Sequence, residues 1–261
     1  MNAGIPQRFL SVVSLGRLTA YYPPRSSIRR IWILLAASMF LAAGAAALYG
    51  FYKAYVHARM YGPAVTLDTL LWTGVIAFFT LLFGAISIRK AIRLELRSAA
   101  VYEAGFAYLD RKGIQSWRWA DLAGVRSTLT GHYLLAVHIF TRHDHLLYRQ
   151  DGTQLLMDDS ILRVDQLVQA INKATYSLRL ERAASRMNLD GGVSFGAVKL
   201  GPDRIRVEDR SIRWEELQSV CLKKGRLNFN TGERNLSALS ADITNLDVLV
   251  EMMNERLPVK V

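Results

Sequence analysis

From Ile31 to Tyr52 the chain runs twenty-two residues without a charge, IWILLAASMFLAAGAAALYGFY. At about 1.5 Å of rise per residue, a helix of that length reaches about 33 Å, enough to cross a hydrocarbon core of about 30 Å. A second uncharged run, Thr69–Ile88, repeats the signal after a short interval. The sequence therefore predicts transmembrane helices at 31–52 and 69–88, joined by an external loop at 53–68. No Asp, Glu, Lys, Arg or His lies inside either run. Ion pathways and proton relays are built from such groups, so the pair is expected to be an anchor rather than a conduit. Ala42, Ala46 and Gly50 recur at four-residue spacing and predict a small-residue face for close helix packing.

The flanks set an expected orientation. Residues 1–30 form a basic segment with Arg8, Arg17, Arg25, Arg29 and Arg30 and no acid. The second run is followed by Arg89, Lys90, Arg93 and Arg97, whereas the connecting loop holds only Lys53 and Arg59. Basic residues are retained on the cytoplasmic side, so a multi-pass inner-membrane protein with both termini in the cytoplasm is expected. The leading segment is too long and irregular for a secretory signal, and no cleavage site stands out.

Charge and cysteine usage narrow the function classes. The chain carries 33 Lys and Arg against 22 Asp and Glu, a net +11. Residues 1–97 hold eleven basic and two acidic residues, residues 98–189 eleven and nine, and residues 190–261 eleven of each. The excess belongs to the membrane flanks, whereas a nucleic-acid binder concentrates it on its soluble domain, so no nucleic-acid partner is expected. With Cys221 as the single cysteine, no intramolecular disulfide can form.

The remainder reads as two β-rich modules, 98–189 and 190–261. In the first, short alternating strands are broken by turn signals such as Arg111–Lys112–Gly113 and Asp151–Gly152. His143–Asp144 is read as a reversal between two strands. A helical face of Val164, Leu167, Val168, Ile171, Thr175 and Leu178 follows, with Asp165 near its start suited to the helix dipole. The second module repeats the plan, with Gly196 as an expected bulge and Asn245 as the N-cap of a last helix. Trp119-Ala-Asp-Leu-Ala-Gly-Val125 matches Trp214-Glu-Glu-Leu-Gln-Ser-Val220 at an offset of 95, which marks an internal repeat.

A strand, then W-x-[DE]-L-x-x-V, then further strands and one C-terminal helix resembles the bacterial pleckstrin-homology-like (PH-like) and GRAM-like domains. Two N-terminal membrane helices followed by such domains also resemble bacterial membrane families of that type. The resemblance implies a transmembrane hairpin followed by two tandem small β-barrel domains, each of seven bent strands closed by one C-terminal helix. Phosphoinositide-binding relatives carry paired basic residues in the first hairpin. Here that place holds Arg111–Lys112 beside Asp110, and the sharper basic tip, Lys223, Lys224 and Arg226, falls on a later hairpin.

Other candidate sites are few. His138, His143 and His145 cluster around Asp144, and histidines at i and i+2 share a strand face where a transition metal can bind. No further ligand converges in the sequence, so no metal and no cofactor is assigned. Asp158–Asp159 and Glu215–Glu216 sit at element ends and read as caps and corners. G-x-S-x-G, Walker, G-x-G-x-x-G and H-E-x-x-H signatures are absent. The expectation is a non-catalytic, membrane-anchored scaffold or sensor with membrane lipids, a protein partner or a second copy of itself as its contacts. The alternative is a direct binder of anionic lipid head groups through Lys223, Lys224 and Arg226.

Overall fold

A computed structural model describes residues 5–61, 63–95, 97–134, 137–232, 234–257 and 259–260. The chain divides into two compact units. One holds residues 23–98 with 109–113, and the other holds the residues up to Tyr22 together with 99–108 and 114–261. A short helical turn, α1 (Gln7–Leu10), and a strand, β1 (Leu18–Tyr22), precede the two long helices α2 (Ser26–Tyr61) and α3 (Pro63–Glu95).

Both long helices contain a span long and apolar enough to cross a membrane. Only 11% of each apolar window is buried within the protein, unlike the core helix of a globular domain. Leu34, Leu41, Leu48, Trp72 and Phe78 are all more than half exposed. Helix occupies 53–61 and 63–68, so most of the expected external loop continues the two helices. Among the described residues of α2, the buried positions are Ala36, Ala43, Gly50 and Ala54, while Ala46 is half-buried and Ala42 exposed. The contact seam thus follows a seven-residue repeat, the spacing of coiled-coil packing, rather than the four-residue small-residue ladder. A Cβ on Gly50 would overlap the side chain of Thr73 on α3, and one on Gly84 would press on the Phe40 ring. At the other end of the span, Lys90 lies 3.9 Å over the Trp32 ring, a cation–π contact at the charged flank.

In the other unit, β1 pairs antiparallel with β2 (Ser98–Tyr102). β3 (Gly105–Asp110) and β4 (Gly113–Arg118) complete a sheet in the order β1-β2-β3-β4. A 3-10 turn at Trp119–Asp121 leads into the sheet of β5 (Leu122–Leu134), β6 (Val137–Arg149) and β7 (Gln154–Asp158). Then comes α4 (Val164–Asp190). The same order recurs afterwards. β8 (Val193–Ser194), β9 (Val198–Leu200), β10 (Arg204–Val207) and β11 (Arg210–Arg213) form a four-stranded meander. A 3-10 turn at Trp214–Glu216 precedes β12 (Ser219–Lys223), β13 (Arg226–Asn230) and β14 (Asn235–Leu239). α5 (Leu246–Asn254) follows, and β15 (Val259–Lys260) adds a parallel edge to β12.

Three expectations need correction. The helix pair does not precede the first module but is inserted between its first and second strands. The N-terminal segment folds onto that module: Phe9 and Leu15 are buried, and the Tyr102 hydroxyl donates to the Phe9 carbonyl at 2.7 Å. The strands form four separate sheets with no closed barrel among the described residues. His143–Asp144 is not a reversal; it lies mid-strand in β6, and β5 and β6 run as one long hairpin from Leu122↔Arg149 to Leu134↔Val137.

The Trp motifs occupy equivalent corners. The Trp119 indole donates to the Glu103 carbonyl at 2.8 Å and that of Trp214 to the Gly201 carbonyl at 3.0 Å. Leu122 and Val125, like Leu217 and Val220, point into the cores. The two cores meet along α4. Its first half supplies Val164, Leu167, Val168 and Ile171 to the first core; Tyr176, Leu180, Ala183 and Met187 pack in the second. The 189/190 boundary therefore divides chain segments but not packing.

Arg179, rather than Leu178, continues the buried stripe of α4 and is 2% exposed. Its guanidinium donates to both carboxylate oxygens of Asp247 at 2.9 and 2.7 Å and to Asn245 Oδ1 at 2.8 Å. It also donates to Thr175 Oγ1 at 3.1 Å and to Asn172 Oδ1 at 3.2 Å. Asn245 sits at the N-cap position of α5 with φ +54°, a left-handed conformation Asn tolerates. Its side chain does not cap the helix. It accepts from the Val125 N–H at 2.9 Å and donates to the Ala123 carbonyl at 3.1 Å, reading the backbone of β5 as a neighbouring strand would. Gly124 lies between these two residues, where a Cβ would meet Thr244 at 2.6 Å. Arg179→Ala is expected to destabilise this unit by about 3 kcal/mol, because Asp247 and Asn245 lose their buried partner. Arg179→Met with Asp247→Leu should cost less than the sum of the single changes, read from urea unfolding followed by tryptophan fluorescence.

Candidate functional site

Alternation along β6 places His143 and His145 on one face of the β5-β6-β7 sheet. Ser127 is the direct cross-strand partner of His145, so its hydroxyl reaches the same imidazole: Ser127 Oγ and His145 Nδ1 are 2.8 Å apart. The first turn of α4 presents Asp165 to the same face. Asp165 Oδ1 lies 2.7 Å from His143 Nδ1 and 3.2 Å from His145 Nε2. Asp159, in the β7–α4 connection, accepts from the His143 backbone N–H at 2.8 Å. One carboxylate oxygen thus bridges two imidazoles, with a hydroxyl behind one of them and a second carboxylate beside the other.

Exposure grades across the cluster. The side chain of His145 is 7% exposed, that of His143 29% and that of Asp165 48%. Burial pushes His145 below its ordinary pKa, and the hydrogen bond and charge of Asp165 oppose that shift. His145 is therefore held as the neutral imidazole near pH 7. An ionised Asp165 can only accept, so the short contact to His143 is a donated Nδ1–H, and the longer one is best satisfied by a proton on His145 Nε2. Ser127 then donates its O–H to His145 Nδ1.

The sequence singled out His143 and His145 but not the residues that complete the set. Asp165, a residue suited to the helix dipole, is a partner of both imidazoles, and Asp159 faces His143. The side chain of His138 lies outside the described residues. Asp144 points to the opposite face and accepts from Arg142 Nε at 2.9 Å.

The basic tip lies elsewhere, on the β12–β13 hairpin. Lys224 (φ +51°) and Gly225 (φ +70°) form its two-residue turn, both in the left-handed conformation such tight hairpins require. Lys223, Lys224 and Arg226 are exposed. The Arg226 guanidinium is held by Ser237 Oγ at 3.0–3.1 Å. Lys224 borders a groove of about 660 Å³ whose apolar walls are Leu129, Leu222, Leu239, Ile243, Leu246 and Val250. Ser127, the hydroxyl partner of His145, lines the same groove.

Two helices long and apolar enough to span a membrane, followed by several antiparallel sheets and a C-terminal helix, define the class of protein. Residues 5–259 match the model described as Family of unknown function (DUF6585), and the chain belongs to that family. No curated protein matches it.

His145 gives the site a pH dependence. Its pKa is lowered on folding, so the stability it contributes is present above the unfolded value of about 6.5 and is lost as pH falls through the lower folded value. The urea midpoint of the wild type should fall from pH 7 towards pH 5, and His145→Gln should flatten that decline. The facing groups are Asp165, His143 and Asp159.

Proposed function

We propose that the protein is a non-catalytic, membrane-anchored scaffold or sensor, with two PH-like modules on the cytoplasmic side of the inner membrane. The observation that carries the reading is the β1–β2 pairing: the strands that enter and leave the helix pair are neighbours in one sheet. A chain that crosses a membrane twice between paired strands leaves both strands on one side. The basic flanks at Arg25, Arg29 and Arg30 and at Arg89, Lys90 and Arg93 favour the cytoplasmic side. Each module has seven strands, split four and three, before its helix, which supports PH-like descent. An apolar-walled groove with Leu129 and Leu239 exposed beside an exposed lysine suits the docking of a partner segment rather than turnover of a small substrate.

Single cysteines in a Cys221→Ser background test the topology. With a membrane-impermeant maleimide and intact cells, Arg59→Cys should be labelled, and Gln7→Cys and Glu251→Cys only after permeabilisation. Labelling of Gln7→Cys and Glu251→Cys from opposite sides sinks the proposal.

The exposure of Lys223 and Lys224, with Lys224 at the edge of an apolar groove, favours a second reading, direct contact with anionic lipid head groups aided by Arg226. Each basic residue held at an anionic surface contributes about 1 kcal/mol. An environment-sensitive fluorophore on Lys223→Cys should shift to the blue in nanodiscs containing phosphatidylglycerol, and high salt should reverse the shift. Identical spectra in neutral and anionic nanodiscs reject this reading.

A further inference from the structure

The face of β6 that carries His143 and His145 is closed by the first turn of α4, and His143, His145 and Asp165 each offer one ligand atom within 4.8 Å of the others; Asp165 Oδ1 meets His143 Nδ1 and His145 Nε2. A tetrahedral ion about 2.0–2.2 Å from each ligand needs those atoms about 3.2–3.6 Å apart. Two of the three separations, 2.7 and 3.2 Å, are already at or below that spacing. The third separation is under 4.8 Å, so the ligand atoms are already gathered around one point.

We propose that His143, His145 and Asp165 bind one divalent transition-metal ion of the zinc type, leaving a coordination position open to an exogenous ligand. Two imidazoles and one carboxylate suit zinc, cobalt and nickel better than magnesium or calcium, which favour all-oxygen sets. Three protein ligands, rather than four, are the donor count of an open site. The carboxylates of Asp165 and Asp159 offset the charge of the ion.

Ser127 is the feature that distinguishes this cluster from a chance meeting of polar side chains. Without an ion, its hydroxyl donates to His145 Nδ1 while Nε2–H faces Asp165. With an ion on Nε2, the proton sits on Nδ1 and the same hydroxyl accepts it. A hydroxyl serves both tautomers, so His145 keeps a partner in either state and its ring is oriented for ligation throughout. The 7% exposed side chain of His145 anchors the inner end of the site, and the 48% exposed side chain of Asp165 leaves an entry path from solvent.

The test uses untagged full-length protein in detergent, stripped with a chelator and titrated with zinc by calorimetry and with cobalt by visible absorption. The expected result is saturable binding of one ion per chain, with the cobalt complex showing tetrahedral d–d bands. Asp165→Asn should weaken binding by at least tenfold, and His143→Ala should abolish it. Ser127→Ala should weaken it about tenfold, and Ser127→Thr, which keeps the hydroxyl, should restore it. Melting of the stripped variants alongside the stripped wild type separates loss of ligation from loss of fold. No saturable binding by the wild type, or equal affinity in folded Asp165→Asn and His143→Ala, overturns the proposal.

Discussion

The pairing of Leu18–Tyr22 with Ser98–Tyr102 governs how the rest of the chain can be arranged. Those strands belong to one sheet, yet two helices of 36 and 33 residues intervene between them. The second module makes the corresponding connection, from β8 to β9, with only Phe195, Gly196 and Ala197. Gly196 adopts φ +81° there and bridges to Ile243, in a place where a Cβ would overlap the Asp242 carbonyl. One connection is a tight turn and the other is a helical hairpin. Antiparallel helices return the chain towards its departure point, so the long version closes the strand pair without a long disordered loop. Loop-closure entropy grows only slowly with length, which makes such an insertion tolerable.

A second constraint acts where the modules meet. A buried arginine is costly unless every donor finds an acceptor and its charge is matched. Arg179 meets both conditions through Asp247, Asn245, Thr175 and Asn172. Two of those partners lie on α4 itself, while Asn245 and Asp247 belong to the start of α5. Arg126 adds a charged contact to Asp242 at 2.7 Å, and Arg182 holds the carbonyls of Ala120 and Leu122 at the Trp119 corner. The joint is thus polar and directional, which fixes the relative register of two otherwise apolar cores.

Much of this was legible in the sequence. The apolar runs marked the helices because an uncharged stretch of that length matches the thickness of a bilayer core. In the second module, alternation and Gly-containing turns located the strands, and the Trp motif marked the same corner twice. What escaped was long-range. Leu18–Tyr22 is short and lies among basic residues, so it read as a flank; only its partner, far along the chain, makes it a strand. His143–Asp144 looked like a turn because both residues are polar, but one faces Asp165 and the other Arg142, on opposite faces of a continuous strand. Arg179 broke an apolar helical pattern, and charge usually signals solvent. The third member of the histidine cluster, Asp165, is distant in sequence and already had a local role as a helix-start acid.

The division of α4 between two cores bears on how this part of the molecule comes apart. Separate domains on a linker can melt one at a time, each with its own free energy. A helix whose early turns are buried in one core and whose later turns are buried in the other cannot fray from either end without exposing apolar surface. The backbone amides of its middle turns, around Thr175 and Arg179, are then released only when both cores open, which makes the pair a single cooperative folding unit.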